Sequence, residues 1–249
     1  MRKLVACLAC RNNGTRLYGK PLQNLDIENG VSILDYMLDA ITNYGAVSET
    51  VLAISEGIEN EIFIETAKRR NIKYYVGSEI DVLDRLIKSA ELVKGTDIFR
   101  LTSESPFTYF EAIAEAWKNH VSNNIDLTAL DNLPDGSGFE IVTLEAYQRS
   151  WAEGDGRHRS ELCSLYIREN KDKFKISFVN IPAHLRRLDI RLTVDYPEDL
   201  VFCRKIYDAH KHKAPLIPLS DILIFLDKNT ELLDLVSPFV EEGLKTMYL

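Results

Sequence analysis

Apolar and polar positions along this chain follow two periods in turn. Residues 4–9 form an unbroken apolar run, which predicts a strand buried on both faces. Ser32 with Asp35 three positions on marks a helix start. Ile33, Leu34, Met37, Leu38 and Ile41 follow at helical spacing, and Gly45 stops the run. The pattern then repeats: strand 50–55, helix 61–70, strand 73–77, helix 81–94, strand 97–102, helix 110–120. Strands alternating with helices of about 10–15 residues predict an α/β fold, a mostly parallel twisted sheet with helices on both faces.

Beyond residue 120 the pattern loosens. Residues 126–138 read as a turn-rich loop, 139–144 as a strand and 145–152 as a short helix. Residues 157–170 carry Leu162, Leu165, Tyr166 and Ile167 at helical spacing, and the alternating stretch 174–181 reads as an edge strand. A brief strand at 191–194, a helix at 200–209 and helices near 220–227 and 231–240 complete the expectation. No linker or repeat interrupts the chain. It reads as one domain over 1–249, in three parts: an α/β part to about residue 120, an inserted α+β lid over 121–190, and a strand with C-terminal helices over 191–249.

Composition narrows the function. The 249 residues are 45% hydrophobic, enough for a sizeable core, and the net charge is −8. An acidic chain argues against a nucleic-acid partner, which calls for a basic surface. No apolar run approaches the roughly 20 residues that span a bilayer, and no signal-peptide pattern opens the chain, so the expectation is a cytoplasmic protein with no membrane partner. Cys7 and Cys10 make a C-x-x-C without a second pair. A redox or metal role and plain core thiols are both open, the latter favoured by the apolar surroundings of Cys7.

Candidate chemistry sits where strands end. The loop after the first strand holds Arg11, Arg16 and Lys20, two glycines and no acid. Freed backbone N–H groups beside Arg and Lys form an anion cradle suited to a triphosphate. It is not a Walker loop, because Lys20 is followed by Pro21. Glu104 and Asp195 each stand at a predicted strand end, and two carboxylates there can hold a hard cation together with substrate phosphates. Each also has a plain structural reading, Asp195 as a helix cap and Glu104 as a turn acid. Arg85 reads on spacing alone as an exposed helix charge.

Five stretches together resemble the CMP-sugar synthetases, in particular the ketodeoxyoctonate and acylneuraminate cytidylyltransferases and their spore-coat polysaccharide relatives. They are Arg11-x-x-Gly-Thr-Arg-Leu-x-Gly-Lys-Pro-Leu, Gly77-Ser-Glu-x-Asp-Val-Leu-x-Arg85, Arg100-x-Thr-Ser-Glu-Ser-Pro, Pro134-Asp-Gly followed by Glu140, and Arg191-Leu-Thr-Val-Asp-Tyr-Pro-Glu-Asp199. The resemblance spans nearly the whole chain. It implies a nucleotide-diphospho-sugar-transferase-like fold and a Mg²⁺-dependent enzyme that transfers CMP from CTP to a sugar or acidic-sugar-like acceptor, with pyrophosphate released, for surface glycan synthesis. It assigns Arg11, Arg16 and Lys20 to catalysis. It assigns Ala9, Cys10, Arg11, Asn12, Gly14, Thr15, Arg16, Lys20, Ser78, Asp81, Val82, Arg85, Thr102 and Ser103 to nucleotide binding. It assigns Glu104 and Asp195 to the metal, and Glu140, Arg157, His158 and Arg159 to a small-molecule acceptor. A homodimer is the expected state.

The chain departs from that pattern in places. Glu104 replaces an Asp, Ser103 a Gly, Gly14 a Ser and Tyr18 a Pro, and a His usual near Glu161 is absent. The triphosphate half is kept while the acceptor half is altered. A nucleotide-binding protein without turnover, and a transferase for a phosphorylated or non-sugar acceptor giving a CDP-linked product, are the alternatives. A sugar-transferring enzyme of related fold would show Asp-x-Asp, which this sequence lacks.

Overall fold

The computed structural model describes residues 2–14 and 16–245. The first strand, β1 (Leu4–Cys10), leads through the basic loop to a small antiparallel ribbon of β2 (Asn24–Asp26) and β3 (Val31–Ser32). Then come α1 (Ile33–Asn43), β4 (Glu49–Ser55), α2 (Glu61–Arg69), β5 (Lys73–Gly77), α3 (Val82–Leu92), β6 (Asp97–Thr102) and α4 (Ile113–Ser122). The second half supplies β7 (Leu127–Ala129), β8 (Glu140–Thr143), α5 (Leu144–Glu153), α6 (Leu165–Glu169), β9 (Ile176–Phe178), α7 (Pro197–His210), α8 (Leu219–Lys228) and α9 (Ser237–Lys245). Ser32 caps α1, its hydroxyl accepting the Asp35 N–H at 3.0 Å, as the sequence spacing predicts.

Seven strands form one sheet in the order β5-β4-β1-β6-β8-β7-β9. The run from β5 to β6 is parallel, β8 is antiparallel to both of its neighbours, and β9 pairs with β7 in parallel. Side chains alternate along a strand, so β1 serves two cores. Leu4, Ala6, Leu8 and Cys10 pack with α1, α4, α7 and α8 on one face. Val5 and Cys7 pack with α3 and α5 on the other. Cys7 and Cys10 therefore lie on opposite faces of the sheet, each buried and free, and the C-x-x-C pairs nothing. Burial pushes the Cys10 thiol up to about 12.

Several expectations change. The stretch expected as a loop at 126–138 contains β7, whose three residues are all buried; a strand this short leaves little period to read. The helix expected over 157–170 is a 3-10 turn at Gly156–Arg159, a bend and a turn over 160–164, and then α6. No ladder forms at 191–194. Arg191 makes a single bridge to Asp135, whereas the Val194 N–H turns to the Glu104 carbonyl at 3.0 Å, so the segment serves two partners. The last expected helix is a 3-10 stretch at Thr230–Leu235, after which Pro238 opens α9. The second half continues the sheet through β8, β7 and β9 as well as covering it.

Strand order reverses beside β1, with β4 on one side and β6 on the other. In such sheets the crevice beyond the carboxyl ends at that point receives the ligand. The ends of β1 and β6 are level, since Ala9 pairs with Thr102. Phe99 anchors β6 beneath this rim. It is fully buried, with Phe139 edge-on at 5.0 Å and Phe110 at 6.4 Å. Phe99→Ala should lower stability by about 3–5 kcal/mol, read as a fall in urea midpoint at unchanged slope.

Candidate active site

The loop after β1 is folded by one residue. The Asn12 carbonyl accepts the Gly14 N–H at 2.8 Å and the Gly19 N–H at 3.1 Å, which turns the basic segment back on itself. Asn12 is itself held from below: its N–H donates to Asn60 Oδ1 at 2.8 Å and its side-chain amide to the Glu59 carbonyl. A Cβ at residue 14 would collide with the Leu17 carbonyl oxygen, so this compact turn demands glycine. Each cation that the loop presents already holds a carboxylate from a distant part of the chain. Arg11 pairs with Glu161, Arg16 with Glu242 at 3.8 Å, and Lys20 with Asp195 at 2.6 Å. Arg16 also lies over the Tyr196 ring at 4.9 Å, and that ring stacks on Phe239 of α9 at 4.0 Å.

Asp195 sits at the centre of a buried charge network. Its Oδ1 takes Lys20, and its Oδ2 takes Arg191 Nη2 at 2.9 Å. Arg191 is almost wholly buried and donates as well to Asp135 at 2.6 Å and Asp199 at 3.2 Å. Burial pushes the Asp195 carboxyl up, but Lys20 and Arg191 outweigh it and hold the group below the usual carboxylate range. The helix-cap reading of Asp195 does not survive: Asp199 accepts the N–H groups of residues 195 and 196 at 2.9 and 3.0 Å. Gly136, at φ +87°, lies so close that a Cβ there would meet the Thr193 nitrogen at 2.6 Å, which presses Asp135 against the 191–195 segment.

Glu104 stands beside this network. Its backbone carbonyl holds Val194, and Ser105 Oγ meets Thr193 Oγ1 at 3.2 Å, so the two acid-bearing segments are tied together. Its carboxylate forms no ion pair among the described residues. Burial raises its pKa; Lys20 and Arg11 oppose the rise, while Asp195 and Glu161 add to it. A partly buried carboxylate held above its normal range next to a second carboxylate is suited to taking a cation. Among the described residues no three acid, His or Cys side chains cluster as a metal cage, so an ion here would draw its remaining ligands from phosphate and water.

The acids and two of the three loop cations border one cavity of about 770 Å³. It runs from Ala9 and Thr102 at the strand ends, past Val82 and Arg85, to Leu130, Phe139 and Glu140. Arg85 is buried, not an exposed helix charge. Its Nη1 donates to the Ser78 carbonyl at 2.7 Å, Nε has no partner, and burial lowers its pKa.

The family model for cytidylyltransferases matches residues 5–226. The chain belongs to the cytidylyltransferase family. It is 28% identical over 235 residues to the spore coat polysaccharide biosynthesis protein SpsF of Bacillus subtilis, covering 93% of this chain and 97% of that protein. A cytidylyltransferase from Leptospira borgpetersenii superposes with a TM-score of 0.84 at 21% identity, over 94% of this chain and 97% of that one. A CMP:2-keto-3-deoxy-manno-octonic acid synthetase complexed with CTP superposes with a TM-score of 0.63 at 13% identity, over 83% of this chain and 99% of that one. At those identities the two superpositions speak for the fold alone.

In this cytidylyltransferase, Ala9, Arg11, Arg16, Val82, Arg85, Thr102, Glu104, Glu140 and Asp195 border the cavity, and Lys20 reaches it through Asp195. Others expected to contact ligand lie outside the lining and support it. Cys10 is in the core, Asn12 and Gly14 shape the loop, and Ser103 Oγ donates to the Ala9 carbonyl at 2.8 Å. Asp81 caps α3 and accepts Trp151 Nε1 at 2.8 Å, and the Ser78 hydroxyl accepts the Asp81 N–H. Thr15 falls outside the described residues. Arg157, His158 and Arg159 do not reach the cavity. The first two pair with Glu169, and Arg159 lies over Trp151; the bend behind them brings Ser160 and Glu161 to the rim instead. Arg100, Asp135, Glu161, Arg168 and Glu242 were not among the expected site residues. Arg100 and Asp135 stood inside quoted motifs, but nothing in the spacing of Glu161, Arg168 or Glu242 points to this cavity.

A carboxylate whose folded pKa is raised costs stability once it ionises, and costs nothing below its unfolded value near 4.5, where it is protonated in both states. Glu104→Gln should therefore raise the melting temperature of the ligand-free protein at pH 7, and the gain should disappear by about pH 4. Equal gains at both pH values would contradict the buried-carboxylate account.

Proposed function

We propose that this chain transfers CMP from CTP to a hydroxyl of a small sugar-like acceptor and releases pyrophosphate, for synthesis of a surface glycan. The observation that carries the reading is the meeting of the basic loop with the segment that bears Asp195, made by the 2.6 Å contact between Lys20 and Asp195, with Glu104 tied to that segment through the Val194 N–H. Family membership supports cytidylyl transfer, the SpsF likeness supports the polysaccharide setting, and the superposition on a synthetase complexed with CTP supports a fold able to take that nucleotide.

The chain's own groups divide the work. Arg11, Arg16 and Lys20 take the triphosphate in exchange for Glu161, Glu242 and Asp195, and balance the charge that builds on departing pyrophosphate. Arg85 and Thr102 frame the nucleoside end. Glu104 and Asp195 would hold Mg²⁺, which supplies charge neutralisation at the α-phosphate. The acceptor oxygen forms its bond to the α-phosphorus as the bond to pyrophosphate breaks, and the hydroxyl proton passes to solvent or a bordering carboxylate. Among the described residues no helix is long and apolar enough to cross a membrane. A cytoplasmic homodimer is part of the proposal, with Phe178 on the edge strand and Ile224 on α8 as exposed apolar positions that a second copy would cover.

Asp195→Asn should cut the rate of pyrophosphate release by about 100-fold or more while the protein stays folded. Lys20→Ala should raise the Kd for CTP by about tenfold or more, read by calorimetry. Unfolding of Asp195→Asn with activity spared, or unchanged CTP affinity in Lys20→Ala, would refute the assignment.

A further inference from the structure

The far end of the cavity carries a charge pattern of its own. Glu140, at the start of β8, has a side chain only 6% exposed. Its Oε1 accepts Ser164 Oγ at 2.5 Å and Arg168 Nη2 at 2.9 Å. Its Oε2 receives no hydrogen bond, although Arg100 Nη1 stands 3.7 Å away. A buried carboxylate oxygen without a donor is costly unless a ligand supplies one.

The guanidinium groups of this region are already committed. Arg168 makes a two-point contact with Asp131 at 2.9 and 3.1 Å besides its bond to Glu140. Arg100 donates to the Glu161 carbonyl at 2.6 Å and faces Glu140. Asp135 shares Arg191 with two other carboxylates. Glu161 loses its own partner when a triphosphate takes Arg11. Along the cavity lining, among the described residues, carboxylates outnumber guanidinium groups, and a bound nucleotide adds further negative charge. A carboxylate-bearing acceptor near Glu140 would enter against that field, and Arg100 and Arg168 could meet it only by leaving Glu140 and Asp131.

We propose that the acceptor carries an amine, bound as an ammonium group that donates to Glu140 Oε2, in place of the carboxylate of an acidic sugar. The proposal rests on the nucleotidyl-transfer reading above. The amine is a recognition handle and the nucleophile remains a hydroxyl. An ammonium supplies the missing donor, offsets the carboxylates of Asp131, Asp135 and Glu161, and displaces only the loose 3.7 Å approach of Arg100 to Oε2, while the hydrogen-bonded pairs of Arg168 stay in place.

The test compares matched sugars on one ring. CTP binding with Mg²⁺ is measured first by calorimetry; its absence would overturn the nucleotidyl-transfer reading itself, whatever the acceptor. Glucosamine, glucose and glucuronic acid, and the galactose set in parallel, are then titrated onto the CTP-loaded protein by ligand-observed NMR, with pyrophosphate release followed alongside. The amine member of each set should bind about tenfold or more tightly than the acid. Glu140→Gln should bring the two within about threefold, and Glu140→Asp, which keeps the charge, should retain part of the preference. CTP binding with equal or tighter binding of the acids, or with no sugar bound in either set, would overturn the acceptor proposal and leave the nucleotide reading standing. Failure of Glu140→Gln to change the preference would overturn the role given to Glu140.

Discussion

One contact holds this site together: the Lys20 ammonium against the Asp195 carboxylate, across 175 positions of sequence. Lys20 ends the basic loop after β1, and Asp195 ends the segment that crosses from Arg191 to α7. Both are shielded, at 17% and 23% exposure, so the pair feels a lower dielectric than a surface pair does. Arg191 sits behind Asp195 and also binds Asp135 and Asp199, which makes one guanidinium the common partner of three acids. Breaking such a network from one side leaves uncompensated buried charge, which explains why so short a segment can be held without a strand ladder.

The other two loop cations are held more loosely. Arg11 with Glu161 and Arg16 with Glu242 are half exposed, and solvent-screened pairs of that kind contribute at most about 1 kcal/mol. A polyanion can displace them at small cost. Glu161 comes from the turn before α6 and Glu242 from α9, so each exchange frees a carboxylate on a different wall of the cavity. The chain thus keeps its loop cations in place with acids of its own.

The framework was legible because it rests on periods that the chain states plainly. The apolar run of β1, the Ser32 cap and the amphipathic α3 each act locally, and each stands where its pattern places it. What escaped depends on distant partners. β7 is three residues long and is defined by β8 and β9, and the 191–194 segment takes its hydrogen bonds from Asp135 and Glu104 in place of a neighbouring strand. Among site residues, Arg11, Arg16, Glu104 and Asp195 were readable from type and position, with the family resemblance deciding between roles. The resemblance assigned Arg157, His158 and Arg159 to the acceptor, but Glu169 and Trp151 hold them, and the chain bends after them to bring Glu161 to the cavity. Asn12 and Asp81, which the resemblance assigned to the nucleotide, lie outside the cavity lining, the Asn12 amide on the Glu59 carbonyl and the Asp81 carboxylate on the Asp84 N–H.

The central claim is that Lys20 and Asp195 are partners only until nucleotide and metal arrive. A double-mutant cycle with Lys20→Met and Asp195→Asn, read by urea unfolding with and without saturating CTP and Mg²⁺, measures that directly. The account predicts a coupling of about 1–3 kcal/mol in the free protein that falls toward zero in the bound one. No coupling in the free protein, or the same coupling in both, would contradict it.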